Sequence, residues 1–251
     1  MFEATLSDAR LWKNLLTAIA TLVEEADFDT DQDAIKLRAM DPSHVAMVDF
    51  VWQKIAFEKY TCPQPTQIKI NITNMLKTLK RIAPDEVLEL HYDENDKKLR
   101  ITLKGKMTRT FTIPTLSPSG EELPVPRITF DSTIKIVTPD FKDIIEDIQA
   151  VSDRITLETT QEKLTATATT ETNSATIELE KGSKSMVSLD VKTPSSAIFS
   201  LGYLIDIMKT CASISETVTI EFSSNKPLKL SFEIPNGNLA YYLAPRVEPQ
   251  E

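Results

Sequence analysis

Only two histidines, His44 and His91, and two cysteines, Cys62 and Cys211, are available to this 251-residue chain for proton transfer, nucleophilic attack or metal ligation. His44 lies in Asp41-Pro42-Ser43-His44-Val45, where a hydroxyl, a carboxylate and an imidazole sit close along the chain and invite a hydrolytic reading. A Ser-His-Asp device works through spatial roles: a base within reach of the hydroxyl, a carboxylate behind the base, and donors for the oxyanion. Adjacency in sequence supplies none of these. A small hydrolase centred on His44 is therefore kept only as a rival to a loop residue that contacts a partner. His91 falls in an alternating segment and reads as an exposed strand residue. With five glycines in all, the chain has no glycine-rich phosphate cradle, and two histidines build no multi-histidine metal site. No catalytic residue, metal or cofactor is expected.

The chemistry that remains is charge. With 28 Lys and Arg against 37 Asp and Glu, the net charge of -9 repels phosphate as a whole, so attraction to nucleic acid has to be local. Lys77, Lys80 and Arg81 recur at three- and four-residue spacing opposite Ile72, Met75, Leu76 and Leu79, which predicts one helix over Ile72 to Ile82 with a cationic face. Arg10 and Lys13 add charge to the polar side of an earlier predicted helix, and Lys209 to a later one. The segment from Phe141 departs from this pattern, because Lys142 is accompanied by Asp143, Glu146 and Asp147. Any single lysine of this kind reads first as a solvated helix face, and cations on equivalent faces of several duplicated helices weigh against that reading.

The elements that must carry these residues repeat. At an offset of 129 residues Trp12 falls on Phe141, Leu15 and Leu16 on Ile144 and Ile145, Ile19 on Ile148, Phe28 on Leu157, Ile35 on Leu164 and Leu79 on Met208. A period this long is a duplicated domain, each copy able to hold a core. Each copy is predicted to run helix, strands, helix, strands. Asp8 is the expected N-cap of the first helix, Phe141 to Val151 its counterpart, Pro84 the stop of the second, and Leu201 to Cys211 the fourth, after a start signal at Pro194-Ser195-Ser196. Leu99, Ile101 and Leu103, like Leu228, Leu230, Phe232 and Ile234, alternate with polar residues, and Glu94-Asn95-Asp96 and Asn236-Gly237-Asn238 have hairpin chemistry. The expected class is α+β, with antiparallel sheets and helices gathered on one side.

The domains are expected at residues 1–113 and 128–251, joined by a connector over 114–127. Its prolines suit a stiff tether, while Leu123 and Val125 are apolar side chains that suit a surface groove. Composition, 41% apolar and 26% charged, fits two globular cores. No run is long enough to span a membrane and no leader pattern is apparent, so an intracellular protein is expected. Cys62 and Cys211 are not equivalent under the duplication and are expected as unpaired thiols.

Arg38-Ala39-Met40-Asp41-Pro42-Ser43-His44-Val45-Ala46-Met47-Val48, the tandem duplication, the proline-bearing connector and Leu239-Ala240-Tyr241-Tyr242-Leu243-Ala244-Pro245-Arg246-Val247 together resemble the proliferating cell nuclear antigen family of DNA sliding clamps, the archaeal type above all. That resemblance implies a processivity factor and not an enzyme. Three subunits would close head to tail around duplex DNA, helices inside and sheets outside, with Arg10, Lys13, Lys77, Lys80, Arg81 and Lys209 facing the hole. It implies a client-peptide groove of Met40, His44, Val45, Leu123, Val125, Pro227, Tyr242, Ala244 and Pro245. It further implies a subunit contact between the strand of Thr108, Arg109, Thr110 and Phe111 and that of Ala175, Ile177 and Leu179. The implied clients are DNA polymerase, flap endonuclease and DNA ligase, with a clamp loader to open the ring; a homotrimer is favoured over a heterotrimer. A clamp-shaped scaffold of the checkpoint type that encircles no DNA is the rival.

Overall fold

The computed structural model describes residues 1–120 and 123–246. Glu121 and Glu122 of the expected connector, and Val247 onward at the carboxyl end, lie outside the described residues. The chain divides into two compact units. Unit one is Met1–Pro42, Val48–Pro124 and Ile234–Leu239; unit two is Ser43–Met47, Val125–Glu233 and Ala240–Glu251.

The first run of elements is β1 (Phe2–Leu6), α1 (Ala9–Ile19), β2 (Glu25–Thr30), β3 (Ala34–Met40), β4 (Ala46–Gln53), β5 (Lys59–Thr61), β6 (Thr66–Asn71), α2 (Ile72–Thr78), β7 (Val87–Asp93), β8 (Lys98–Lys104) and β9 (Thr108–Pro114). The second is β10 (Ser132–Val137), α3 (Thr138–Gln149), β11 (Arg154–Thr159), β12 (Lys163–Thr169), β13 (Ser174–Glu180), β14 (Met186–Val191), β15 (Ser195–Ser200), α4 (Leu201–Cys211), β16 (Thr217–Phe222), β17 (Leu228–Ile234) and β18 (Gly237–Leu243). The starts of α1 and α3, β2 and β11, β3 and β12, β6 and β15, and α2 and α4 all differ by the 129 residues read from the sequence. In unit one the sheets order as β5-β1-β7-β8-β9 and β4-β3-β2-β6; in unit two one sheet orders as β13-β12-β11-β15 and another begins β14-β10-β16-β17. The pairs β1–β7, β7–β8, β8–β9, β10–β16, β11–β12 and β12–β13 run antiparallel, β7 and β8 joined by the expected Glu94-Asn95-Asp96 turn.

Each module opens on a strand and not on a helix, which corrects the expected order. The signal is in the sequence: Phe2, Ala4 and Leu6 alternate with polar residues and are buried, but three apolar positions make a short run. Three further boundaries differ. α2 ends at Thr78, four residues before the predicted Ile82. Thr78 turns its hydroxyl back to the Met75 carbonyl, and Leu79, fully buried, shares its N–H between Met75 and Leu76 as the chain leaves the helix. Helix α3 begins at Thr138 instead of Phe141, with Pro139 in its first turn, where a missing N–H costs nothing. Ser195 of the Pro194-Ser195-Ser196 signal begins β15, and the residue that precedes α4 is Ser200.

Period-two and period-3.6 patterns bury one face of each element. Trp12 of α1 stacks on Trp52 of β4 with ring centroids 6.1 Å apart and planes within 8°. In unit two Phe199 and Phe222 meet edge to face at 6.3 Å. The repeat extends to buried polar groups: Thr30 donates to the Thr66 carbonyl at 2.9 Å where β2 meets β6, and at the corresponding register of β11 and β15 Thr159, Ser195 and Ser132 join hydroxyls. Cys62 and Cys211 are free and buried, and burial pushes the Cys211 thiol up to about 12, so it stays protonated at neutral pH and is no nucleophile.

Gly237 and Gly202 give opposite expectations. A Cβ on Gly237 meets the Val51 carbonyl oxygen at 2.6 Å and Trp52 Cδ1 at 2.8 Å, so Gly237→Ala is expected to cost about 1–3 kcal/mol. At Gly202, in the first turn of α4, a Cβ meets nothing within 4 Å, and Gly202→Ala is expected to stabilise by about 0.5 kcal/mol. Urea midpoints of the two variants check both signs.

Candidate functional site

The expected cations lie on three helices and one turn. Asp8 caps α1 as anticipated, accepting the Arg10 N–H at 2.9 Å, but it also takes the Arg10 guanidinium at 2.9 and 2.8 Å. That guanidinium holds the Asp8 carboxyl below its ordinary range, and part of the Arg10 charge is spent on its own cap. Lys13, on the same helix, is half-buried. Lys77 is exposed in the last turn of α2 with Nζ 3.0 Å from Asn74 Oδ1. Lys80 and Arg81 are exposed beyond the helix end, so the three do not share one helical face as the spacing suggested; they form a helix end followed by a cationic turn. Lys209 is exposed in the last turn of α4. On α3, Lys142 pairs with Glu146 at 3.0 Å, and Asp143 and Asp147 are exposed.

The groove residues fall in both units. In unit one, Met40 ends β3 with 36% of its surface exposed, and Leu123 is half-buried. Its carbonyl accepts Arg38 Nη1 at 2.7 Å, while the same guanidinium donates from Nε and Nη2 to Asp49 Oδ1 at 3.1 and 2.8 Å. The segment over 114–127 is pinned at three more residues, by the Thr115 N–H and hydroxyl on the Lys97 carbonyl, each at 3.0 Å, by Leu116 N–H on the Lys69 carbonyl at 2.8 Å and by the Ser119 hydroxyl on Asp27 Oδ2 at 2.6 Å. It is no passive tether. Arg38, Asp27 and Asp49 had no assigned role; the one legible sign was an arginine and an aspartate on the neighbouring segments that became β3 and β4.

In unit two, His44 is exposed and holds φ at 56°, the left-handed region that a non-glycine residue occupies at a cost of about 1 kcal/mol. A strained, exposed loop residue suits partner contact. The Val45 carbonyl accepts the Ala244 N–H at 2.9 Å, which brings these two predicted residues together. Tyr242, Pro245 and Pro227 are half-buried, and Val125 is 54% exposed.

The remaining predicted residues are on sheet edges. β9 is the last strand of its five-stranded sheet and β13 the last of its four-stranded sheet. Both alternate exposed and half-buried along their whole length: Thr108 and Thr110 are open and Arg109 and Phe111 partly covered, with Ala175, Ile177 and Leu179 partly covered on the other strand. Arg109 donates to both oxygens of buried Glu86 at 2.8 and 2.7 Å, and Glu86 also accepts the Ala83 N–H at 2.9 Å. Glu86 is a residue that sequence reasoning missed. Among the described residues, no group of three or more His, Cys, Asp or Glu is placed to hold a metal ion, and no helix is long and apolar enough to cross a membrane.

A family model described as proliferating cell nuclear antigen, N-terminal domain, matches residues 1–113, and one described as the C-terminal domain matches residues 124–247. The chain belongs to the proliferating cell nuclear antigen family. It is 35% identical over 97% of its length to DNA polymerase sliding clamp 1 of Pyrobaculum aerophilum, covering 98% of that protein. It is 34% identical over 98% of its length to the DNA polymerase sliding clamp of Nitrosopumilus maritimus, covering 99% of it. The structure of PCNA from Thermococcus kodakaraensis superposes with a TM-score of 0.93 at 25% identity, over 98% of this chain and all of that one. That of proliferating cellular nuclear antigen from Entamoeba histolytica gives 0.91 at 25% identity, over 98% of this chain and 99% of that one. The family consists of non-enzymatic processivity factors, so the hydrolase reading of His44 falls, and the scaffold that encircles no DNA is not favoured.

Arg109→Ala leaves the buried Glu86 carboxylate without its charged partner and is expected to cost about 1–3 kcal/mol. Hydrogen exchange checks the cause: amides of β9 lose protection while those of β7 keep theirs. Unchanged β9 protection contradicts the anchoring role of this pair.

Proposed function

We propose that this chain is a DNA polymerase sliding clamp that closes, as three copies, into a ring around duplex DNA, inside the cell and at the nucleoid. The observation that carries the reading is a pair of unlike sheet edges, β9 and β13, on a chain whose relatives at 34–35% identity are named sliding clamps. An open edge offers unpaired backbone groups to a neighbour. Because the two edges are different surfaces, their contact is heterologous and closes a ring when the rotation allows. Thr108, Arg109, Thr110 and Phe111 of one copy would meet Ala175, Ile177 and Leu179 of the next. Both edges occur in one chain, which favours a homotrimer. The units are read as clamp domains over residues 1–113 and 128–251, with the connector over 114–127.

Arg10, Lys13, Lys77, Lys80, Arg81 and Lys209 are read as the residues that face the hole. A ring holds DNA by topology, so weak backbone attraction without base readout suffices, and tight phosphate binding hinders sliding. Met40, His44, Val45, Leu123, Val125, Pro227, Tyr242, Ala244 and Pro245 are read as the groove for a short client helix, where a few buried anchors supply most of the affinity. Polymerase, flap endonuclease and DNA ligase are the proposed clients, and a clamp loader the proposed opener.

After loading, the protein is expected to stay on nicked circular duplex and to leave when the circle is linearised; retention on the linear form marks an ordinary DNA binder and removes the clamp. Tyr242→Ala with Leu123→Ala is expected to weaken a client peptide at least tenfold without altering assembly size, measured by calorimetry and light scattering. Undiminished peptide affinity removes the groove.

A further inference from the structure

The charges on the helices are divided unequally between the units. α1 carries Arg10 and Lys13, and α2 with the turn behind it carries Lys77, Lys80 and Arg81, five cations with no acid between Ala9 and Ile19 or between Ile72 and Arg81. α3 and α4 carry Lys142 and Lys209 against Asp140, Asp143, Glu146, Asp147 and Asp206, two cations and five acids, a formal balance of -3. Lys142 is committed to Glu146. Lys209 follows Asp206 by three residues on the same exposed face.

Helix stability accounts for two of the acids of α3 and not for the other two: Glu146 has Lys142 as its i,i+4 partner, whereas Asp143 and Asp147 have no such role. Asp140, in the first turn, is favoured by the positive end of the helix dipole. Glu146 and Asp147 sit in the last turn, where a negative charge is disfavoured, and no basic residue accompanies them there. Asp143 and Asp147 are exposed like charges four residues apart, which costs a few tenths of a kcal/mol more.

We propose that unit one supplies most of the hold on the duplex, through Lys77, Lys80 and Arg81 above all, and that in unit two, where Lys209 is offset by Asp206, the acidic face of α3 keeps phosphates away. This rests on the clamp reading and narrows it. Fewer phosphates are neutralised at a time than if all four helices were cationic, so fewer counterions are released and reabsorbed at each step along the DNA.

The test is equilibrium binding of the full chain to a short blunt duplex, followed by fluorescence anisotropy across a potassium chloride series. Combining Lys77→Ala, Lys80→Ala and Arg81→Ala is expected to weaken binding at least tenfold and to flatten the slope of log affinity against log salt by about 2–3, at about 0.9 for each phosphate no longer neutralised. Asp143→Lys with Asp147→Lys is expected to tighten binding severalfold and steepen the slope by about 1–2, on the same basis. The milder pair Asp143→Asn and Asp147→Asn, which leaves less room for misfolding, is expected to tighten binding about twofold by relief of repulsion alone. Native affinity and slope in the lysine-to-alanine variant, or unchanged affinity in both aspartate variants, overturns the division. The circular-to-linear release experiment on the native chain separates the failures: a native chain that does not slide off ends sinks the clamp, whereas one that does, with variants that do not differ, sinks only the division between units.

Discussion

The last strand of an antiparallel sheet presents a row of unpaired N–H and C=O groups that a neighbouring chain can pair with. β9 and β13 are such strands, and neither is blunted by brevity, since each is seven residues long. Nor are they covered: Phe111, Ile177 and Leu179 are left only half-buried. One edge is held rigid from within. Arg109 reaches from β9 to Glu86, whose carboxylate also caps the Ala83 amide, so the turn after α2 and the start of the edge strand are a single hydrogen-bonded piece. A pre-ordered edge loses less entropy on pairing than a frayed one. That supports the proposed contact of β9 with a second copy.

Electrostatics then divides the labour. A chain with a net charge of -9 that must stay near a polyanion has to keep its cations local and its attraction weak. The cationic turn at Lys80 and Arg81, proposed to face the duplex, stands where spacing predicts a continuous helix. The early end of α2 is set by packing: Leu79 is drawn into the core, and the charged residues are left in solvent.

Much of this was legible in the chain because the duplication counts every signal twice. Trp12 and Phe141 point to the same core position, and six pairs of elements in fact start at the common offset, β9 and β18 being the sixth. The features that left no such signal are either short or long-range. β1 has only Phe2, Ala4 and Leu6 to announce it, and Pro194-Ser195 has the chemistry of a helix start although Ala197 and Phe199 alternate like a strand. The buried hydroxyls Thr30 and Thr159 repeat at the same spacing, but an apolar comparison passes over them. Arg38–Leu123 and Arg109–Glu86 join residues 85 and 23 positions apart, and no local period encodes such pairs.

The connector obeys a different constraint from the sheets. A proline-rich segment with few side chains to bury cannot be held by packing, and solvated tethers of this composition are ordinarily loose. Here it is held by polar groups from the strands it crosses: Lys69 offers a carbonyl to Leu116, Asp27 a carboxylate to Ser119, and Arg38 a guanidinium to the Leu123 carbonyl. Arg38 is itself oriented by Asp49, so the contact is charge-assisted and directional. Holding the main chain by its carbonyl leaves the Leu123 side chain uncommitted to that bond. A wall fixed by its backbone, with the Leu123 side chain still half-open, suits the proposed client groove, which would have to accept different anchors without refolding each time.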